Sequence, residues 1–182
     1  MKKPAWLILG AICLVAGLAL GLTYALTQKA IQKQNEDKAS EAQRAVMSAA
    51  DSFEQTEVPQ DTKVDDVAIL SCYRAMKGGA QYGKVVTAAV AGYKSTIEVT
   101  VGIAADGSIT GIRCGGASFA ETAGLGALVT EEAFTSQFAG LNAPVAVTQD
   151  GGEVDAITNA TISSRAVCKA VSAAAEYASG VQ

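Results

Sequence analysis

The chain has 182 residues, a formal net charge of −4, four cysteines and no histidine. Without histidine there is no imidazole acid–base chemistry, no triad built on it and little prospect of a zinc site. No basic stripe suits a nucleic acid, and no Cys-x-x-Cys pair suits an iron–sulfur cluster or zinc ribbon, so any redox chemistry would rest on a bound organic cofactor.

Met1-Lys2-Lys3 is basic, and Pro4 to Thr27 carries no charge. A membrane span needs about 20 apolar residues, and Trp6 and Tyr24 stand near the two ends, where interfacial aromatics gather. Residues 1–27 therefore read as one N-terminal transmembrane helix. A cleaved leader would carry a shorter apolar run and a small-residue cleavage site. Lys2, Lys3 and the terminal amine precede the run. Lys29, Lys33 and Lys38 follow it, diluted by Glu36 and Asp37. The positive-inside rule places the soluble part on the extracytoplasmic side of the cell (inner) membrane.

Residues 28–64 read as a helical linker and loop. Ala39, Ala42, Val46, Ala49 and Phe53 recur at steps of three or four, which predicts a helix over 28–53. Glu54 to Asp66, with Pro59 and many charges, predicts a loop. Residues 65–182 read as one α+β domain, an antiparallel sheet with packed helices. Its predicted strands are Val67–Met76, Gln81–Val90, Tyr93–Ile103 and Ile109–Cys114. The third alternates clearly, with Ile97, Val99, Val101 and Ile103 on one face and Thr96, Glu98 and Thr100 on the other. Lys77-Gly78-Gly79 and Ala105-Asp106-Gly107-Ser108 predict tight turns. Thr130 to Phe138 predicts a helix capped by Thr130. Ala143–Thr148 predicts a short strand, Gln149–Gly152 a turn, and Ile162–Ala178 the last helix. Cys13 falls in the span, while Cys72, Cys114 and Cys168 fall in the domain, where three thiols cannot all pair.

Two segments carry chemistry. In Asp155-Ala156-Ile157-Thr158-Asn159-Ala160-Thr161-Ile162-Ser163-Ser164-Arg165, hydroxyls, a carboxylate, an amide and a guanidinium gather where the last helix begins. A helix N-terminus favours an anion, and Arg165 offers a forked contact to a phosphate. Thr, Asn, Asp and Ser are also ordinary capping residues. In Glu121-Thr122-Ala123-Gly124-Leu125-Gly126, two glycines flank one leucine. That pattern lets backbone approach a flat ligand while Leu125 lies on a ring face, although a plain Gly-rich connection reads the same way.

Both segments resemble motifs of the FMN-binding domain family, which usually read Asp-x-x-Ser-Gly-Ala-Thr and Glu-Thr-Pro-Gly-Leu-Gly. Thr158-Asn159 replaces the Ser-Gly pair, and Ala123 replaces Pro. Asn tolerates positive φ better than most residues, so the backbone survives that change. The resemblance covers roughly residues 65–178. It is greatest to the G subunits of Rnf-type ion-translocating ferredoxin:NAD electron-transport complexes, with the C subunit of the sodium-pumping NADH:quinone reductase as runner-up.

The resemblance implies FMN held covalently on Thr161 by a phosphoester bond, placed there by a flavin transferase that uses FAD and a divalent metal. It implies that Asp155 and Ser163 support the loop, and that Thr158, Asn159 and Ala160 shape the backbone around the phosphate. Glu121, Thr122, Gly124, Leu125 and Gly126 would border the isoalloxazine ring. No catalytic residue or metal of the chain's own is implied. The implied partners are the other subunits of a membrane electron-transport complex and the lipid bilayer. The alternative is a flavin-free, membrane-anchored binding or assembly module.

Overall fold

The computed structural model describes residues 5–180; within the first helix it describes side chains at 6, 9, 10, 12–24, 26–28 and 39–46. The chain divides into two compact units, Met1–Glu41 and Ala42–Gln182. Helix α1, Ala5–Val46, runs through the first unit and ends in the second. Among the described residues no helix is long and apolar enough to cross a membrane, and the expected span over 1–27 lies partly outside them.

The second unit is α+β, as expected. Its strands are β1 (Ser52–Thr56), β2 (Lys63–Val64), β3 (Val67–Lys77), β4 (Ala80–Ala91), β5 (Thr96–Ala104) and β6 (Ile109–Gly115). They form one sheet in the order β1-β3-β4-β5-β6, with β2 also on β3, and every pairing is antiparallel. Tight turns drive this meander. Gly78 and Gly79 take φ of 58° and 81° between β3 and β4, and Gly107 takes 88° between β5 and β6, a region open to glycine at little cost. Asp106 Oδ1 accepts the backbone N–H and hydroxyl of Ser108, closing the second turn.

Helix α3, Thr161–Gly180, covers one face of the sheet. It buries Ala166, Val167, Ala170, Val171, Ala173 and Ala174 against Val86, Val99, Val101 and Ile112. The alternation along β5 holds, with Ile97, Val99, Val101 and Ile103 all buried in this core. At its far end the Lys84 ammonium donates to the Ala178 carbonyl at 2.6 Å, a favourable cation at a helix C-terminus. A short helix α2, Glu132–Thr135, stands between the sheet and α3 in the chain, flanked by 3₁₀ turns at Gly126–Thr130 and Ser136–Phe138.

The last turn of α1 lies on the opposite face, where Val46 and Met47 pack with Ala75 and Val85. Here the sheet carries Gly83, Gly102 and Gly111. A Cβ on Gly102 would meet the Val46 carbonyl oxygen at 2.6 Å. Thr110 Oγ1 donates to that carbonyl at 2.5 Å. Cover on both faces explains the unbroken apolar run Val85-Val86, one residue facing each helix.

Three expectations are corrected. The helix expected to reach Phe53 stops at Val46, and Phe53 sits in β1. The expected loop Glu54–Asp66 contains most of β1 and all of β2, because their ladder to β3 outweighs their polar composition. Ala143–Thr148 forms no strand; it is bound sideways to α3 through Ser172 Oγ, which accepts Val145 N–H at 2.9 Å and donates to its carbonyl. Only Val147 bridges onward, in parallel, to Val154.

Cys72, Cys114 and Cys168 are buried free thiols. Burial pushes Cys114 and Cys168 up to about 12, and raises Cys72 as well. Alkylation of the native chain at neutral pH is expected to label none of the three, and to label all three after unfolding, read by peptide mass spectrometry. Gly102→Val should destabilise the fold by about 1–3 kcal/mol through overpacking against α1, measured as a lower urea midpoint with an unchanged slope.

Candidate functional site

The first turn of α3 emerges beside the turn between β4 and β5 and the loop that follows β6. These segments enclose a cleft of about 380 Å³ lined by Tyr93, Glu121, Thr122, Leu125, Gly126, Asn159, Ala160, Thr161, Ile162 and Ser163. The two chemistry-bearing segments, far apart in the sequence, therefore share one cavity.

Local structure explains the approach. Asn159 adopts φ of 63°, the left-handed conformation expected of it. This reverses the chain so that Ala160 N–H donates to the Ile157 carbonyl and Ser164 N–H to the Ala160 carbonyl. Ser164 Oγ accepts Ile157 N–H at 3.0 Å and donates to the Ala160 carbonyl. Thr161 is thus the first residue of α3, half-buried at the cleft. Backbone N–H groups of a helix's first turn have no partner within the helix and favour an anion.

The second wall is the Thr122–Gly126 loop. Gly124 takes φ of 73°, and Leu125 N–H and Ala127 N–H both donate to the Thr122 carbonyl. Leu125 stays over a third exposed at the cleft. Gly126 is buried, and a Cβ there would run into Glu121 Oε2 and lie 2.8 Å from Ser163 Oγ. Only glycine lets this loop lie flush on α3.

Glu121 is buried beneath the cleft. Burial raises its carboxyl, but hydrogen bonds from Lys94 N–H, Ser95 N–H and the Ser163 and Ser95 hydroxyls outweigh burial and hold it below the usual glutamate range. Asp155, Thr158 and Gly124 do not line the cleft. The Asp155 backbone is held by the Gln137 side chain, whose Oε1 accepts Asp155 N–H at 2.7 Å and whose amide donates to the Asp155 carbonyl.

The forked contact of Arg165 goes elsewhere than expected. Its Nε and Nη2 each lie 2.6 Å from the Asp150 carboxylate, and Lys169 pairs with Asp66 at 3.1 Å. Both nearby cations are thus engaged by carboxylates. Thr130 is also not a helix cap; it closes a 3₁₀ turn and donates to the Ala127 carbonyl. Tyr93 and Ile162 line the cleft, 70% and 55% exposed, and sequence reading missed them. Large apolar side chains exposed beside the two motifs were the available signal.

The cleft joins an apolar end, with Tyr93, Leu125 and Ile162, to a helix N-terminus bearing a hydroxyl. That donor set fits a flat aromatic ring carrying a phosphate. The Glu121 carboxylate should make stability acid-sensitive. Its native value is lowered, so its contribution is full above the unfolded value of about 4.3 and is lost as pH falls through the native one. Melting temperature should fall more steeply on acidification through that range in the wild type than in Glu121→Gln.

Comparison with known proteins agrees. Residues 92–176 match the FMN-binding domain family. The G subunit of an ion-translocating oxidoreductase complex from Methanosarcina acetivorans is 36% identical over 173 residues, covering 92% of this chain and 89% of that protein. The G subunit of a Na(+)-translocating ferredoxin:NAD(+) oxidoreductase complex from Acetobacterium woodii is 33% identical over 180 residues, covering 91% and 86%. The fold is shared with the C subunit of a Na(+)-translocating NADH-quinone reductase from Parabacteroides distasonis, at a TM-score of 0.58 and 21% identity, covering 82% of this chain and 94% of that one. With the cleft and both motifs in place, the chain belongs to the FMN-binding domain family, among the G subunits of Rnf-type ion-translocating oxidoreductase complexes.

Proposed function

We propose that this chain is an electron-carrying subunit of a membrane-bound, ion-translocating ferredoxin:NAD oxidoreductase, with FMN borne covalently on Thr161. The observation that carries the reading is the meeting of Thr161, at the start of α3, with the Thr122–Gly126 loop across one cleft. The named relatives support the complex, and the family match supports the cofactor.

FMN, when bound, supplies reversible one- and two-electron transfer. The chain's own residues position it. Thr161 offers the hydroxyl oxygen. In maturation a flavin transferase would cleave the phosphoanhydride of FAD and transfer the FMN phosphoryl group to Thr161 Oγ, with release of AMP and the hydroxyl proton. The first-turn N–H groups of α3 and the backbone of Asn159 and Ala160 would hold the phosphate, with Thr158 and Asp155, outside the cleft lining, shaping the segment behind them. Leu125, Tyr93 and Ile162 would border the ring, the Thr122 and Gly126 backbone would let it lie close, and Gly124, outside the cleft lining, would shape the loop. In the finished state the chain needs no catalytic base of its own.

The reading also gives the chain a single-pass anchor over 1–27, a linker over 28–64 and an extracytoplasmic flavin domain over 65–182. What supports the anchor is the row of exposed apolar side chains on α1, from Trp6 through Leu14 and Leu20 to Leu26. Other subunits of the complex are then the electron partners.

The test is intact-mass spectrometry of the full chain co-expressed with a flavin transferase. The expected result is one added FMN in the wild type and none in Thr161→Ala. An unmodified wild-type chain would instead leave a flavin-free, membrane-anchored module.

A further inference from the structure

Among the described residues Glu121 is the one carboxylate lining the cleft, yet its oxygens are spent on the protein. Oε1 accepts Lys94 N–H at 2.8 Å and Ser95 N–H at 2.9 Å, with the Ser95 hydroxyl at 3.3 Å. Oε2 accepts the Ser163 hydroxyl at 2.8 Å. Ser95 Oγ in turn accepts Ala120 N–H at 2.9 Å. One side chain thus bridges three segments far apart in sequence: the turn before β5, the loop after β6 and the first turn of α3.

Two glycines make room for it. A Cβ on Gly92 would lie 2.8 Å from Oε1, and one on Gly126 would strike Oε2. Ser163 is 1% exposed, so its hydroxyl has been withdrawn from water as well. A buried carboxylate with this many donors is an ordered junction, because losing any partner leaves charge unsatisfied. Side chains that only border a ligand have no need of such a slot.

We propose that Glu121 is a positioning residue: through Ser163 it fixes the first turn of α3, and so Thr161, against the Gly124–Gly126 loop and the Lys94–Ser95 turn. This rests on the reading of Thr161 as the flavin attachment point. Ser163 donates its hydroxyl hydrogen to Glu121, which sets the azimuth of α3 about its own axis. Thr161, two residues earlier on that turn, is aimed by the same bond.

The test has two arms on the full chain in detergent. The first is hydrogen–deuterium exchange of chain made without transferase, which needs no flavin. Ser163→Ala should speed exchange at 164–168, where the helix hydrogen bonds begin, by about tenfold, the equivalent of one charge-assisted hydrogen bond, and leave 93–96 unchanged. Glu121→Leu should speed exchange at 93–96, 122–128 and 164–168 together. Glu121→Gln keeps an acceptor oxygen for both amides, while its NH2 donates to Ser163 Oγ in the reversed sense, and should restore protection.

The second arm is the yield of FMN on Thr161 after co-expression, read by intact mass. It should fall about tenfold in Glu121→Leu and in Ser163→Ala, and recover in Glu121→Gln. If Glu121→Leu does not fold, Ser163→Ala and Glu121→Gln carry both arms. Exchange unchanged in Ser163→Ala overturns the proposal, as does looser exchange with full loading. A wild-type chain that never takes FMN overturns the functional reading instead, while the exchange arm still decides whether Glu121 fixes the cleft.

Discussion

The contact on which the site depends is the small-residue face of α3 lying on the sheet. Ala166, Ala170, Ala173 and Ala174 are buried there against valines of β4 and β5. Alanine loses no side-chain freedom on burial and keeps helix propensity high, so the helix settles close to the strands at little entropic expense. Its position on the sheet dictates where its first turn emerges, beside the β4–β5 turn. The cleft inherits its shape from that placement. Lys84, reaching from β4 to the Ala178 carbonyl, pins the other end of the same helix.

Absent side chains admit close neighbours at two places in the fold. On one face, Gly102 lets the end of α1 approach until a carbonyl oxygen occupies the space of a Cβ. At the cleft, Gly92 and Gly126 leave a slot that a carboxylate fills. The two uses differ in what holds the approach together. The first relies on apolar burial of Val46 and Met47 with one threonine hydroxyl. The second relies on hydrogen bonds to a charge, which are directional and fix geometry more tightly than apolar contact.

Much of the fold was readable because its signals are local. Alternation along β5, the Asp106-Gly107 turn and the Ala-rich last helix each depend on neighbours in sequence. So did Asn159, whose positive φ follows from residue type and motif position. What escaped reading depends on distant partners. Ser52–Thr56 is polar and forms a strand only because β3 offers a ladder edge. Ala143–Thr148 looks like a strand but answers to Ser172 of α3 instead. The cleft was legible in its two motifs, whereas Tyr93 and Ile162 join it through the sheet's topology. Glu121 was read as a ring contact because nothing in its motif reveals Ser163 beyond it.

The pairing of Arg165 with Asp150 has a further consequence. Among the described residues no Lys or Arg lines the cleft, so a bound phosphate there would be held by oriented backbone dipoles without a formal counter-charge. Such a site gains little from bulk electrostatics and loses little to added salt. Free flavin nucleotide would be retained only briefly by it. On the proposed reading, the bond to Thr161 replaces affinity with permanent local concentration: the flavin stays because it is attached, and the surrounding residues are left to set its orientation instead of its residence time.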